Sequence, residues 1–476
     1  MDSAEAYGDL VELAIKTLSK SGVEYGEARL CFEKAQMLSV NTGEIEPASI
    51  IRRGGIGIRT LVKGSLGFAS TNILRGNAVK EAALKSVKLA KASSHTIKAP
   101  ISLSTEEIRE GKWRTKVTED PSNVPVEDKI TLIRDLDRIA FDEGCPKRVL
   151  SISESMESSL LLTTEGIKIS GETVRVSFTG LLTAMGNSGS AQRIIQKGET
   201  SGWESIAHWK LPDLIMGEAK SLKEVAECTT SPPVGLTDLI LGPEVVGIIC
   251  HEACGHPQEA DRILGREAAQ AGESYVTPEM LGFKIGSDVV TIIDDPTLER
   301  GFGSYLFDDE GVRAHPKTLI KDGRINEFLH NRETASLFGC RSNASARAMG
   351  YDREPIIRMS NTYMRPGEHT FEELIEEVKD GAFIKSFMEW NIDDRRWNQR
   401  YVGLEAFRIR KGEIMERIRN PVLEITTGNL FGSVDAASRE LEFEAAICGK
   451  GDPMQGAPVW HGGPTIRLRR VKLTRR

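Results

Sequence analysis

The chain of 476 residues has no stretch near the roughly 18 uninterrupted apolar residues that a membrane span requires. Nor does it open on a basic flank followed by an apolar run. Neither a membrane span nor a secretory leader is expected. An excess of basic charge is also missing: 62 Lys and Arg stand against 69 Asp and Glu, a net charge of -7, which argues against a dedicated nucleic-acid surface. Basic clusters exist locally, at Arg395-Arg396 and from Arg467 to Lys472, and the alternation of Ile466 and Leu468 with charges in the second reads as a charged edge strand. Cysteine is sparse and odd in number, seven, with no small-domain framework around it, so free thiols and a cytoplasmic location are expected. Histidine is scarce as well, eight in all, and that scarcity makes one cluster informative.

The cluster is His251-Glu252-Ala253-Cys254-Gly255-His256. An HExxxH arrangement arises by accident in only on the order of 1% of chains of this composition. In the better-known H-E-x-x-H motif the two imidazoles stand one helical turn apart on one face. A spacing of five on an ideal α-helix leaves them roughly 140° apart, too far for one ion, so the backbone must depart from that geometry. Two routes are open. A single wide π-type turn brings positions five apart into register. Alternatively the helix ends here, with Gly255 left-handed and Pro257 keeping His256 out of the α region. Upstream, Leu236 to Leu241 reads as a short buried strand and Gly242-Pro243-Glu244 as a helix start. Val245, Ile248, Ile249, Glu252 and Ala253 then follow at helical spacing, placing Glu252 beside an apolar stripe. The bland alternative is that the two His cap a helix and Glu252 pairs with an Arg such as Arg262. Three ligand-grade residues beside a helix-breaking Gly are not needed for packing, which favours a metal.

Along the chain, Ala4 to Lys20 has helical period closed by Gly22, Ala28 to Val40 reads as strand, and Gly54 to Ala69 as a hairpin turning at Lys63-Gly64. These glycines are no dinucleotide fingerprint, because a second strand follows instead of a helix. Asn77 to Ala92, capped by Asn77, and Val126 to Asp142 are amphipathic helices, with a polar excursion from Ala99 to Pro125 between them. Val149 to Ser155, Ser158 to Thr163 and Thr173 to Leu182 read as strands and Leu211 to Cys228 as a helix, which Thr229-Thr230-Ser231-Pro232-Pro233 breaks. Beyond it come hairpins at Asp322-Gly323 and Lys411-Gly412 and a short helix from Phe371 to Asp380. The expected fold is α+β with two domains. Residues 1–230 form an antiparallel sheet with helices; residues 231–476 form a β-rich, curved or barrel-like domain.

Two His cannot hold a catalytic zinc alone, since such sites use three protein ligands and leave a fourth position open. Glu259, Asp261, His461 and Cys448 are candidates. Cys448 stands out where the strand Leu441 to Ile447 enters the loop Gly449-Lys450-Gly451-Asp452. Cys250 and Cys254 read as buried thiols.

Several separate stretches resemble the TldD family, also described as the TldD/PmbA metalloprotease or former gyrase-modulator family. They are the Gly-rich hairpin from Gly57 to Ser70, the HExxxH segment, Gly303-Ser304 through Asp308-Asp309-Glu310-Gly311, Asn361 to Gly367, and Cys448-Gly449-Lys450. The resemblance implies a zinc peptidase with the metal on His251, His256 and Cys448 and with Glu252 as the catalytic carboxylate activating a water. It also implies short or unfolded peptide substrates, and a dimer of like subunits or with a paralogue lacking the metal motif. Two departures stand out: Pro257 directly follows the second His, and Trp390 to Trp397 replaces a segment that is Gly-rich in many relatives. Peptides could add as a strand to an exposed sheet edge. Asp308-Asp309-Glu310 reads as a solvated turn before a receptor for a peptide's amino end. The rival reading is a non-catalytic peptide-binding protein with a structural zinc closed by Glu259, Asp261 or His461. A thiol redox pair of Cys250 and Cys254 ranks last, lacking the C-x-x-C spacing.

Overall fold

In the computed structural model, which describes residues 3–107, 109–267 and 272–476, long alternating segments of the first half pair into one eight-stranded sheet. Tyr25–Asn41 lies antiparallel between Ser49–Val62 and Lys147–Thr163, and Lys168–Gly186 pairs with the latter and with Gly189–Glu199. Glu110–Arg114, within the polar excursion, adds a parallel strand. The Lys63-Gly64 turn has both residues at positive φ, 50° and 71°, the hairpin geometry that matches strand twist. Gly8–Lys20 and Gly76–Ser93 bury Val11, Leu18, Val79 and Val87 against Leu30, Ile56 and Ile58. Val126–Asp142 and Leu211–Glu227 bury Ile133, Leu136, Ile215 and Leu222 against Ile152 and Phe178. Two readings change. Asn77 lies inside its helix, whose N-cap is Arg75 without a side-chain bond. The runs at Val149 and Ser158 are one strand, Lys147–Thr163, because pairing with Lys168–Gly186 continues through Met156 and Glu157.

The second half is built of shorter strands. Nine form a sheet curled into a half-barrel, and a six-stranded sheet packs with it around a shared apolar core that includes Leu239, Val246, Ile292, Leu319 and Leu468. The fold is α+β, as expected, with the antiparallel sheet first and the curled sheet after it. The C-terminal segment corrects the reading of it as an edge. Ile466–Arg475 is interior to the nine-stranded sheet, between Pro421–Thr426 and Gly235–Leu241. Its charges are tolerated there because Arg467 and Arg469 pair with Asp435 and Glu377, and Arg469 also with Asp238. The short helix stops at Glu376, and Asp380–Ile384 is already a strand. Cys448 sits within the strand Glu442–Lys450 and not in the loop after it; this strand is the outermost of the six-stranded sheet. Among the described residues no helix is long and apolar enough to cross a membrane.

Candidate metal centre

The backbone solves the five-residue spacing by the wide turn. Helix Pro243–Ile249 passes into a π-helical turn over Cys250–Gly255, and the His256 N–H donates to the His251 carbonyl, the i to i+5 bond that stacks the two residues. The alternative of a left-handed Gly255 is wrong: its φ is −56°, and His256 stays in the α region despite Pro257. Gly255 is needed for a different reason. A Cβ there would lie 1.8 Å from the Met359 sulfur, so only glycine lets the turn pack against that side chain.

The turn sets both imidazoles edge to face, ring centroids 4.8 Å apart, and the outer strand brings Cys448 to them. The Cys448 sulfur lies 3.3 Å from His251 Nε2 and 3.3 Å from His256 Nε2. The three donor atoms lie within 4.8 Å of one another, and this is the one such group among the described residues. In a tetrahedral zinc site with bonds of about 2.0 Å to nitrogen and 2.3 Å to sulfur, N and S donors stand about 3.5 Å apart. The donor set therefore fits zinc in its chemistry and in its nitrogen-to-sulfur spacing.

Surrounding charges prepare the donors. Burial alone would push the Cys448 thiol up, but His256, which hydrogen-bonds to it, and Arg358 bring it down to about 7. Burial, with Arg396 nearby, lowers His256 to about 4, and burial lowers His251 as well, so both imidazoles are neutral and can offer a lone pair. His256 Nδ1 is 2.9 Å from Glu259 Oε2. Glu259 is fully buried, yet Lys450, His256 and Arg262 hold it well below the usual carboxylate range, so Nδ1 donates to it and Nε2 is left to face the sulfur. Glu259 thus orients His256. Lys450 Nζ lies 3.3 Å from Glu259, 2.7 Å from both oxygens of Asp261 and 2.9 Å from the Ile357 carbonyl, which accounts for Asp261 too. His461 lies near, its ring 6.0 Å from that of His251, and its Nδ1 has no hydrogen-bond partner among the described residues. Cys250 and Cys254 are buried thiols.

Glu252 is buried and faces the same cavity of about 540 Å³ as the three donors. Its partner is Arg396, at the tip of the hairpin Phe387–Ile392 and Asn398–Gly403, and not Arg262, which pairs with Glu259. Trp390 and Ile392 of the hairpin, with Ile194 and Ile447, give the cavity apolar walls, and Glu444 and Arg193 add charge. The Trp390 to Trp397 segment, singled out only as a departure, thus reaches the centre; in the sequence Arg396 shows merely as half of a basic pair. Asp308-Asp309-Glu310 is not a solvated turn. Asp308 accepts three backbone N–H bonds, Asp309 pairs with Arg29, and Glu310 pairs with Arg59.

Models of the PmbA/TldA metallopeptidase match in three segments: domain 1 at residues 26–90, the central domain at 119–227 and the C-terminal domain at 234–475. A metalloprotease of Methanothermobacter thermautotrophicus is 32% identical over 450 residues, covering 94% of this chain and 94% of its own. A zinc metalloprotease TldD homolog of Saccharolobus solfataricus is 31% identical over 245 residues, covering 51% of this chain and 53% of its own. TldE from Thermococcus kodakarensis has a similar fold, with a TM-score of 0.72 at 18% identity, covering 98% of this chain and 99% of that one.

Proposed function

The chain belongs to the PmbA/TldD metallopeptidase family and is a metallopeptidase of the TldD type; on that premise we propose that it hydrolyses amide bonds in short or unfolded peptides with zinc held by His251, His256 and Cys448. The observation that carries this reading is the convergence of two neutral imidazoles and one acidified thiol on a cavity that also contains a buried carboxylate. Zinc, when bound, polarises the scissile carbonyl and makes water a better nucleophile near neutral pH. Glu252 accepts the proton of the attacking water and passes it to the leaving amine. Glu259 keeps His256 in the productive tautomer. The Cys448 strand, on whose outer side no further strand pairs among the described residues, offers an edge to an extended peptide, which gives affinity with little side-chain preference. A structural zinc closed by Glu259 or Asp261 finds less support, since both are engaged elsewhere.

We further propose a cytoplasmic dimer, of like subunits or with a paralogue lacking the motif, and a division of the chain at residue 230. Zinc per chain, measured by elemental mass spectrometry on the native protein and on Cys448→Ser purified without added metal, tests the ligand set. Near-stoichiometric zinc that collapses in the variant, together with peptide cleavage by the native protein, is expected. A native protein that takes up no zinc on titration overturns the proposal.

A further inference from the structure

The guanidinium at the hairpin tip enters the cavity that holds the three donor atoms. Arg396 Nη1 contacts Glu252 Oε2, the two side chains being 8% and 7% exposed, and both line the cavity with the three donor atoms. The backbone that delivers it is strained, with φ +62°, a region that a non-glycine residue keeps only where its surroundings impose it. Here they do. The Arg396 N–H donates to the Asp393 carbonyl at 2.9 Å, and the Thr427 hydroxyl donates to the Arg396 carbonyl at 2.9 Å. The next residue, Trp397, packs on Tyr275 with ring centroids 5.2 Å apart, and the Tyr275 hydroxyl donates to the Ala253 carbonyl at 2.9 Å. The tip is therefore fixed to the π-turn itself, next to Glu252.

We infer that Arg396 is a catalytic residue of the peptidase reaction, donating to the carbonyl oxygen of the scissile amide as that oxygen becomes negative; the inference rests on the peptidase reading. The charges explain why a cation paired with the base is useful. In the attack a water O–H bond breaks and its proton goes to Glu252. The water oxygen bonds the carbonyl carbon, and the carbonyl π pair moves onto its oxygen. Glu252 becomes neutral, and a negative charge appears on the substrate. Glu252, the carboxylate that the guanidinium contacts, is neutralised at the moment a new negative charge forms within the same cavity, so the interaction of Arg396 with the substrate grows in the transition state without a new charge being buried. Collapse returns the electron pair, breaks the C–N bond and delivers the Glu252 proton to the amine. The Glu252–Arg396 pair is then restored.

The test compares the native protein with Arg396→Ala and Arg396→Lys in three measurements: zinc content, kcat and KM on quenched unfolded peptides, and calorimetric affinity for a phosphinic pseudopeptide with alanine on both sides. The alanine variant is expected to keep its zinc and its KM while kcat falls about 10²- to 10³-fold, the usual loss for one oxyanion donor. Affinity for the phosphinic anion is expected to fall by a similar factor, and lysine to recover part of both. Unchanged affinity for the phosphinic group, loss of zinc, or a rise in kcat would each overturn the assignment; the last would make the contact a restraint on Glu252. A zinc-loaded native protein that neither cleaves peptides nor binds the pseudopeptide would instead remove the peptidase reading itself.

Discussion

The two halves of the molecule treat their backbones differently. In the N-terminal sheet, Tyr25–Asn41 stays in register with Lys147–Thr163 from Glu27 to Asn41, and Lys168–Gly186 pairs through its whole length. In the C-terminal half the ladders shift at Ile292, Phe387, Phe407, Val434 and Leu468. The π-turn and the positive φ of Arg396 lie in the same half. A regular ladder fixes where side chains point; each irregularity re-aims one. The proposed metal donors, the proposed base and its arginine all come from the irregular half, whereas the regular half lends walls such as Ile194 and Arg193.

Forcing the irregular half to be regular should have the largest effect. Gly255→Ala puts a methyl into the Met359 sulfur and should unseat the π-turn, with near-complete loss of bound zinc and activity. Pairing it with Met359→Ala should restore part of the metal, and full zinc occupancy in the single variant would refute this account of the turn. Removing chemistry without touching the backbone comes next. Glu252→Gln should bind zinc normally while kcat drops roughly 10²- to 10⁴-fold, and an unchanged rate with zinc bound would exclude Glu252 as the base. Glu259→Gln takes away the anion that orients His256, so zinc affinity, measured by competition with a chelator, should weaken about 10- to 100-fold.

The smallest effect tests the regular half, where ionisable groups serve the fold. Glu204 accepts N–H bonds from Thr118, Glu119 and Gly202 and the Ser201 hydroxyl. Burial acts against the carboxylate, but those bonds win and lower it to about 2. Its stabilisation is therefore present above about 4.5 and lost as pH falls toward 2. Glu204→Gln should cost about 1–2 kcal/mol at pH 7, after screening, and the gap should close in acid with kcat untouched. A gap as large at pH 2 as at pH 7 would contradict the assignment.

His251, Glu252 and His256 were legible as a candidate site because they stand together on one segment. Cys448 was one of four candidates until family resemblance selected it, since nothing local ties a cysteine to histidines some 190 positions away. The π-turn and the helix end remained equal options in the sequence, and the contact that requires glycine at position 255 comes from Met359, some hundred residues away. Arg396 escaped altogether. Its partner is 144 residues distant, and a charged hairpin tip looks the same in sequence whether it faces solvent or a cavity. The C-terminal strand misled for a related reason, as its arginines meet acids supplied by Asp238, Glu377 and Asp435 from three other segments.

Lys450 gives the centre one more property. This buried ammonium sits two residues past the thiol donor and grips Asp261, Glu259 and the Ile357 carbonyl. The segment carrying the sulfur and the segment carrying the imidazoles are thus clasped together by protein alone. Such a holder is preassembled: an incoming ion does not have to gather its ligands from a flexible chain, and its departure leaves their positions in place. A chelator should therefore extract the metal from a protein that remains folded, and the same chains should be reloadable with a different divalent ion, unlike small zinc domains whose folding is the metal binding itself.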